Sequence, residues 1–126
     1  MTGPQLTAGT ATDAVAAPLD RSPLPEDQVI SGPEPTVGNL SLGALAGVSV
    51  GIWEIGPSVT RDVEADEMFV VLTGSATVSF EDGTPDLTLR PGTVARLASG
   101  QRTRWAVTET LRKIYVLAPA AKEDTA

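Results

Sequence analysis

Residues 67–83 read EMFVVLTGSATVSFEDG. In the second half, Ala76, Val78 and Phe80 alternate with Ser75, Thr77, Ser79 and Glu81. That two-residue period places one set of side chains on each face of an extended strand. Asp82-Gly83 then closes the run as a turn. The first half, Glu67–Thr73, is apolar and rich in β-formers, and it stops at Gly74. Alternation from Glu67 puts Glu67, Phe69 and Val71 on one face.

The same punctuation extends in both directions. Val48, Val50 and Ile52 alternate in a run that ends at Gly56-Pro57, and Val59–Glu64 follows it. Downstream, Leu87 and Leu89 precede Pro91-Gly92, after which come Thr93–Leu97, Arg102–Val107 and Leu111–Leu117. Ala98-Ser99-Gly100 and Thr108-Glu109-Thr110 separate those last runs. The pattern predicts about eight short strands and no ten-residue helix, an all-β chain built as a small antiparallel β-barrel or sandwich.

Pro4, Pro18, Pro23, Pro25, Pro33 and Pro35 crowd the first 35 residues. A segment of that composition has little apolar surface to offset its ordering entropy. Residues 1–26 are therefore expected to be a flexible tail, 27–118 the folded domain, and 119–126 a polar C-terminal tail.

Composition excludes much chemistry. The 126 residues contain no Cys and no His, so no thiolate nucleophile, imidazole base or His- or Cys-ligated metal is available. The formal charge of −7 argues against nucleic acid or an anionic membrane as partner. The N-terminal stretch lacks the basic and apolar regions of a signal peptide, and no apolar run approaches the ~20 residues of a membrane span. A cytoplasmic location is the expectation.

Charge divides along the chain. Glu54, Asp62, Glu64, Asp66, Glu67, Glu81, Asp82 and Asp86 accompany a single base, Arg61. From Arg90 to Lys113, the bases Arg90, Arg96, Arg102, Arg104, Arg112 and Lys113 accompany a single acid, Glu109. Facing sheets would bring acids and arginines to one mouth. Glu67 is the candidate acid/base, with Arg61 as its expected partner. Trp53, Trp105 and Phe69 are candidate cavity walls, Thr103 shares the face of Trp105, and Arg96 is a candidate anion fork. Lys113 and Tyr115 share a face of the last strand, where packing is the expected role.

Two stretches, GPSVTRDVEADEMFVVLTG (56–74) and GTVARLASGQRTRWAV (92–107), carry a resemblance to the paired motifs of the cupin superfamily. Glu67-x6-Gly74 matches the second half of the first motif. Gly92, Gly100, Thr103 and Val107 hold the spacing of the second. Trp53-Glu54, Asp66-Glu67, Trp105 and Arg112-Lys113-Ile114-Tyr115 further resemble the small DUF861 (cupin_3) group, related to ureidoglycine aminohydrolase-type cupins.

The resemblance implies a jelly-roll or double-stranded β-helix barrel whose metal-binding members use three His and one Glu. Matched by position, the first two His fall on Arg61 and Val63, or on Thr60 and Asp62 with a gap one longer. The third falls on Thr103, and only Glu67 remains. No metal and no other cofactor are expected from that set.

Two functions follow as expectations. One is a metal-independent cupin that binds a small polar or anionic metabolite, as an isomerase, lyase or hydrolase using Glu67. The other is a non-catalytic ligand-sensing or dimerisation module with a filled barrel. The resemblance also implies a homodimer, for which Val29–Ile30 offers an edge strand.

Overall fold

The computed structural model describes residues 6–32 and 35–119. Among the described residues nine strands follow one another: β1 (Asp20–Pro23), β2 (Val29–Ser31), β3 (Thr36–Leu45), β4 (Val48–Ile55), β5 (Ser58–Val63), β6 (Glu67–Phe80), β7 (Leu87–Leu89), β8 (Val94–Leu97) and β9 (Arg102–Leu117). A single 3-10 turn, Glu26–Gln28, separates β1 from β2. Each strand pairs antiparallel with its neighbours. The all-β, antiparallel expectation holds.

The architecture is a curled half-barrel of cupin type rather than the expected closed barrel or jelly roll. The main hydrogen-bonded path runs β1-β3-β4-β9-β5-β2, with β6 joined to β9 and carrying β7 and β8. β1 and β2 end that path without pairing to each other, so the ladder does not close. One mouth therefore stays open to solvent.

Two long strands differ from the short runs read in the sequence. β6 continues through Gly74 and β9 through Thr108–Thr110, and they pair along nearly their whole length. The ladder slips in register between Val71 and Ala76. Gly74 adopts φ +91°, and a Cβ there would collide with the Thr110 carbonyl. This bulge inverts the parity of β6, so Phe69 and Val71 point inward before it and Ala76 and Val78 after it. Between β3 and β4, Ala46 and Gly47 both take positive φ, which closes a two-residue hairpin from Leu45 to Val48.

The inner core gathers Ile55, Phe69, Val71, Ala76, Val78, Leu89, Leu97, Trp105, Val107 and Leu111. A second, smaller core lies on the opposite face, where Ala17 packs on Leu40, Leu42 and Ile52. The segment 1–26, read above as a tail, thus supplies both β1 and this cover from its described part. Arg112 Nη1 donates to the carbonyls of Ala14 and Ala17 at 3.0 and 2.9 Å, and its Nε reaches Glu54 Oε1 at 3.1 Å. Arg21 also pairs with Glu54. The C-terminal stretch 120–126 lies outside the described residues.

Candidate functional site

A cavity of about 430 Å³ opens at the mouth of the half-barrel. That volume falls within the ~300–1,000 Å³ usual for small-molecule sites. Register explains which residues reach it. Along β4 and β9, Trp53 stands opposite Lys113 and Gly51 opposite Tyr115. Inward pointing is shared by each such pair, because opposite residues of an antiparallel ladder lie on one face. Glu54 and Arg112, one position away on each strand, consequently point to the back of the sheet.

Lys113 forms the centre of the floor. Its Nζ lies 2.7 Å from Glu67 Oε2, with side-chain exposures of 7% and 10%. Three aromatic rings surround the same ammonium, with centroids 4.3 Å (Phe69), 4.8 Å (Trp53) and 4.9 Å (Trp105) from Nζ. The ring quadrupoles and the carboxylate together hold a positive charge that burial alone would disfavour. Trp105 stacks obliquely on both Trp53 and Phe69, at 5.9 and 5.8 Å between centroids.

Strand β5 contributes the acidic wall. Thr60 faces Trp105, and Asp62 faces Thr103. Glu64 is buried, accepting from Thr103 Oγ1 at 2.5 Å and from Trp105 Nε1 at 3.0 Å. Burial raises the Asp62 carboxyl above its ordinary value, and the nearby Glu64 charge adds to the rise. On the opposite wall Tyr115 donates its hydroxyl to Asn39 Oδ1 at 3.0 Å. Burial raises the Tyr115 phenol, Asn39 opposes that rise and Glu67 adds to it. A Cβ at Gly51 would collide with this phenol, so glycine there makes the space for it.

The expected site residues are distributed as follows. Glu67, Trp53, Trp105 and Arg61 border the cavity. Phe69 lies beneath it as part of the floor, and Thr103 acts through Glu64 rather than by lining the space. Arg61 does not pair with Glu67. It sits opposite Arg104 on the outer face, and Lys113 takes the position expected of Arg61. Parity decides this, since Thr60 and Asp62 stand opposite the buried Trp105 and Thr103, while Arg61 and Val63 stand opposite the exposed Arg104 and Arg102. Arg96 lies away from the cavity on β8, exposed, reaching Asp66 at 3.4 Å.

Lys113, Tyr115, Glu64 and Asn39 are cavity groups that sequence reasoning did not place. The signal for Lys113 and Tyr115 was present. Both share odd parity with Trp105, and treating Arg102–Leu117 as one strand carries the inward face from Trp105 to them. Asn39 lies on β3, where Asn39 and Ser41 alternate with Leu40 and Leu42, a period that Gly38 and Gly43 mask.

The donor set does not fit the metal centre of the cupin frame. Among the described residues no three His, Cys, Asp or Glu side chains converge as a metal site. The one retained frame carboxylate, Glu67, is engaged by the Lys113 ammonium. Likewise, no helix of the described residues is long and apolar enough to cross a membrane.

A family model described as the EutQ-like cupin domain matches residues 42–115. Among solved structures, the chain resembles a DUF861-family protein of unknown function from Pseudomonas syringae pv. tomato DC3000. They are 26% identical with a TM-score of 0.72 over 86% of this chain and 47% of that one. The EutQ protein of Clostridium difficile aligns at 20% identity and a TM-score of 0.61, over 75% of this chain and 77% of its own. A Rhizobium leguminosarum protein of unknown function aligns at 23% and 0.59, over 66% and 81%. No curated protein matches the sequence.

Proposed function

The chain belongs to the EutQ-like cupin family within the DUF861 cupins, and from that premise we propose that it binds a small polar metabolite without a metal. The observation that carries the reading is the Lys113–Glu67 pair, set in an aromatic floor at the base of an open cavity. In this reading Thr60, Asp62 and Thr103 stand where metal-binding relatives hold imidazoles, and the ammonium of Lys113 takes over the role of a fixed positive charge. Kinship with ureidoglycine aminohydrolase-type cupins belongs to the same proposal, which makes ureido compounds natural candidates.

Charge narrows the ligand. Asp62, Glu64 and Glu67 border the cavity against one base facing inward, Lys113. A purely anionic ligand meets repulsion there, so the favoured ligand presents hydrogen-bond donors to β5 and one acceptor oxygen to Lys113. Chemistry, where it occurs, follows from the same groups. Glu67 accepts a proton from the bound molecule, and Lys113 stabilises the negative charge that develops on its oxygen. Tyr115 keeps its proton at neutral pH and donates it to Asn39, so its hydroxyl oxygen is an acceptor on the facing wall.

The test uses the protein's own reporters. Trp53 and Trp105 are its two tryptophans, and both border the cavity. A fluorescence and thermal-shift screen with ureido compounds, amino acids, sugars and 2-oxo acids should give a hit that quenches them. Glu67→Gln or Lys113→Met should weaken that hit at least tenfold, the ~1.4 kcal/mol of one charged hydrogen bond. Hits indifferent to both substitutions, or no hit at all, would remove the reading. Independently, elemental analysis of the purified protein should show well under one equivalent of transition metal; a full equivalent overturns the metal-free part. The homodimer and the cytoplasmic location stay within this proposal, the first to be read by light scattering.

A further inference from the structure

On the outer face of the sheet, Arg61 of β5 stands directly opposite Arg104 of β9, and Arg104 also faces Ser79 of β6. Both arginines are exposed. Like charges directly opposite on one face of an antiparallel pair repel and weaken the ladder. Elsewhere among the described residues, Arg21, Arg96, Arg112 and Lys113 each reach a carboxylate; Arg90 and Arg102 do not, but Arg102 stands opposite Val63 rather than a second arginine. Among the described residues, Arg61 and Arg104 reach none. A groove of about 320 Å³ crosses this row, bordered by Ile30, Arg61, Ser79, Phe80, Glu81 and Arg104.

We infer that this row is an anion site for a single phosphate group, free or carried on a small phosphate monoester. Guanidinium forks match the oxygen geometry of phosphate and bind it in a bidentate way. Cross-strand neighbours have Cβ atoms only ~4.5–5.5 Å apart, so both forks can close on one tetrahedral anion. The Ser79 hydroxyl is a third, neutral donor beside Arg104. Binding also removes the repulsion that the two arginines impose on the ladder.

A compact anion fits better than an extended acidic chain. The protein carries a net charge of −7, and Glu81 and Asp82 lie beside the groove. An ionic atmosphere of ~8 Å confines the attraction of the two arginines to their own vicinity. A longer polyanion would meet the flanking acids instead. Arg61 also edges the mouth of the cavity above the Lys113–Glu67 floor, whereas Arg104 and Ser79 border only this groove, so Arg104 is the residue that distinguishes the two sites.

The experiment is an NMR titration of the full ¹⁵N-labelled chain with inorganic phosphate at constant ionic strength, repeated with glycerol 3-phosphate. Saturable shifts are expected at Arg61, Ser79 and Arg104 with both probes. Equal affinities place recognition on the phosphate group itself, and tighter binding of the ester adds contacts to its organic part. Arg104→Ala should lower affinity about tenfold, the loss of one charged hydrogen bond. Arg104→Lys, which keeps the charge and loses the fork, should recover only part of it. Arg96→Ala, which removes an exposed arginine that borders neither the groove nor the cavity, should leave the titration unchanged. Shifts that do not saturate, that chloride reproduces, or that survive Arg104→Ala would overturn the inference. Arg104 is exposed, so its variants keep the fold, and the same spectra verify that.

Discussion

Lys113 places its ammonium nitrogen 2.7 Å from the Glu67 carboxylate, across the β6–β9 ladder and nearly out of reach of solvent. The two residues are 46 positions apart in sequence. Breaking one side of such a pair leaves an uncompensated charge in a low-dielectric site. Lys113→Met should therefore lower the unfolding free energy by about 3–5 kcal/mol. The double variant Lys113→Met/Glu67→Leu should recover most of that loss. Urea denaturation of the wild type, both single variants and the double variant measures the coupling, and an additive double variant would show that the pair is not coupled.

The acids of the two sheet faces should titrate with opposite effects on stability. Asp62 is raised above its ordinary 3.8 by burial and by Glu64. The folded state then holds its proton after the unfolded chain has lost it, so stability falls as pH rises through that window. Glu54 is lowered from its ordinary 4.5; burial opposes the change, but the hydrogen bonds from Arg21 and Arg112 outweigh it. Its contribution is present above 4.5 and is lost as pH falls through the lowered value. Asp62→Asn should raise the melting temperature at neutral pH, and Glu54→Gln should lower it. Both differences should shrink in acid, which thermal melts across the acid range will show.

Gly51 faces Tyr115 in the β4–β9 ladder, and a Cβ there would meet the phenol and the Leu40 carbonyl. Gly51→Ala should cost about 1–3 kcal/mol, typical of overpacking, and displace the Tyr115 ring from Asn39. Adding Tyr115→Ala to the same chain should return part of that stability, because the flexible half of the collision is then gone. A double-mutant cycle by chemical denaturation checks it. Purely additive effects would disprove the steric link.

Ala17 and Leu19 cover the back of β3 and β4, and Arg112 is bonded to two carbonyls of the same segment. Deleting residues 1–19 should lower stability by at least about 1.5 kcal/mol, the worth of burying one large aliphatic side chain. Faster amide exchange should appear at Leu40, Leu42 and Ile52 and not at Val78. Hydrogen-exchange mass spectrometry distinguishes these positions. An unchanged exchange pattern would mean that the segment behaves as the tail its composition suggested.

Much of the fold was legible in residues that alternate. The run Ala76–Phe80 faces a core on one side and solvent on the other, so its period survives in the sequence. The strand Thr36–Leu45 keeps the same period, with Gly38, Leu40 and Leu42 buried between the exposed Asn39 and Ser41. Its glycines, Gly38 and Gly43, mask it, because glycine is a poor strand former and has no side chain to mark a face. Glu67, Trp53 and Trp105, the residues expected from parity and aromatic character, border the cavity, while Lys113 reaches it only through the register of β9.

Local sequence determined where this chain extends and turns and which chemistries it lacks, since alternation, glycine conformation and the absence of His and Cys are properties of neighbouring residues or of composition alone. Only the tertiary structure decided that Glu67 meets Lys113 and not Arg61. A shift of one residue in pairing moves a side chain to the other face of the sheet, and the register of strands far apart in sequence is set by how the whole ladder packs.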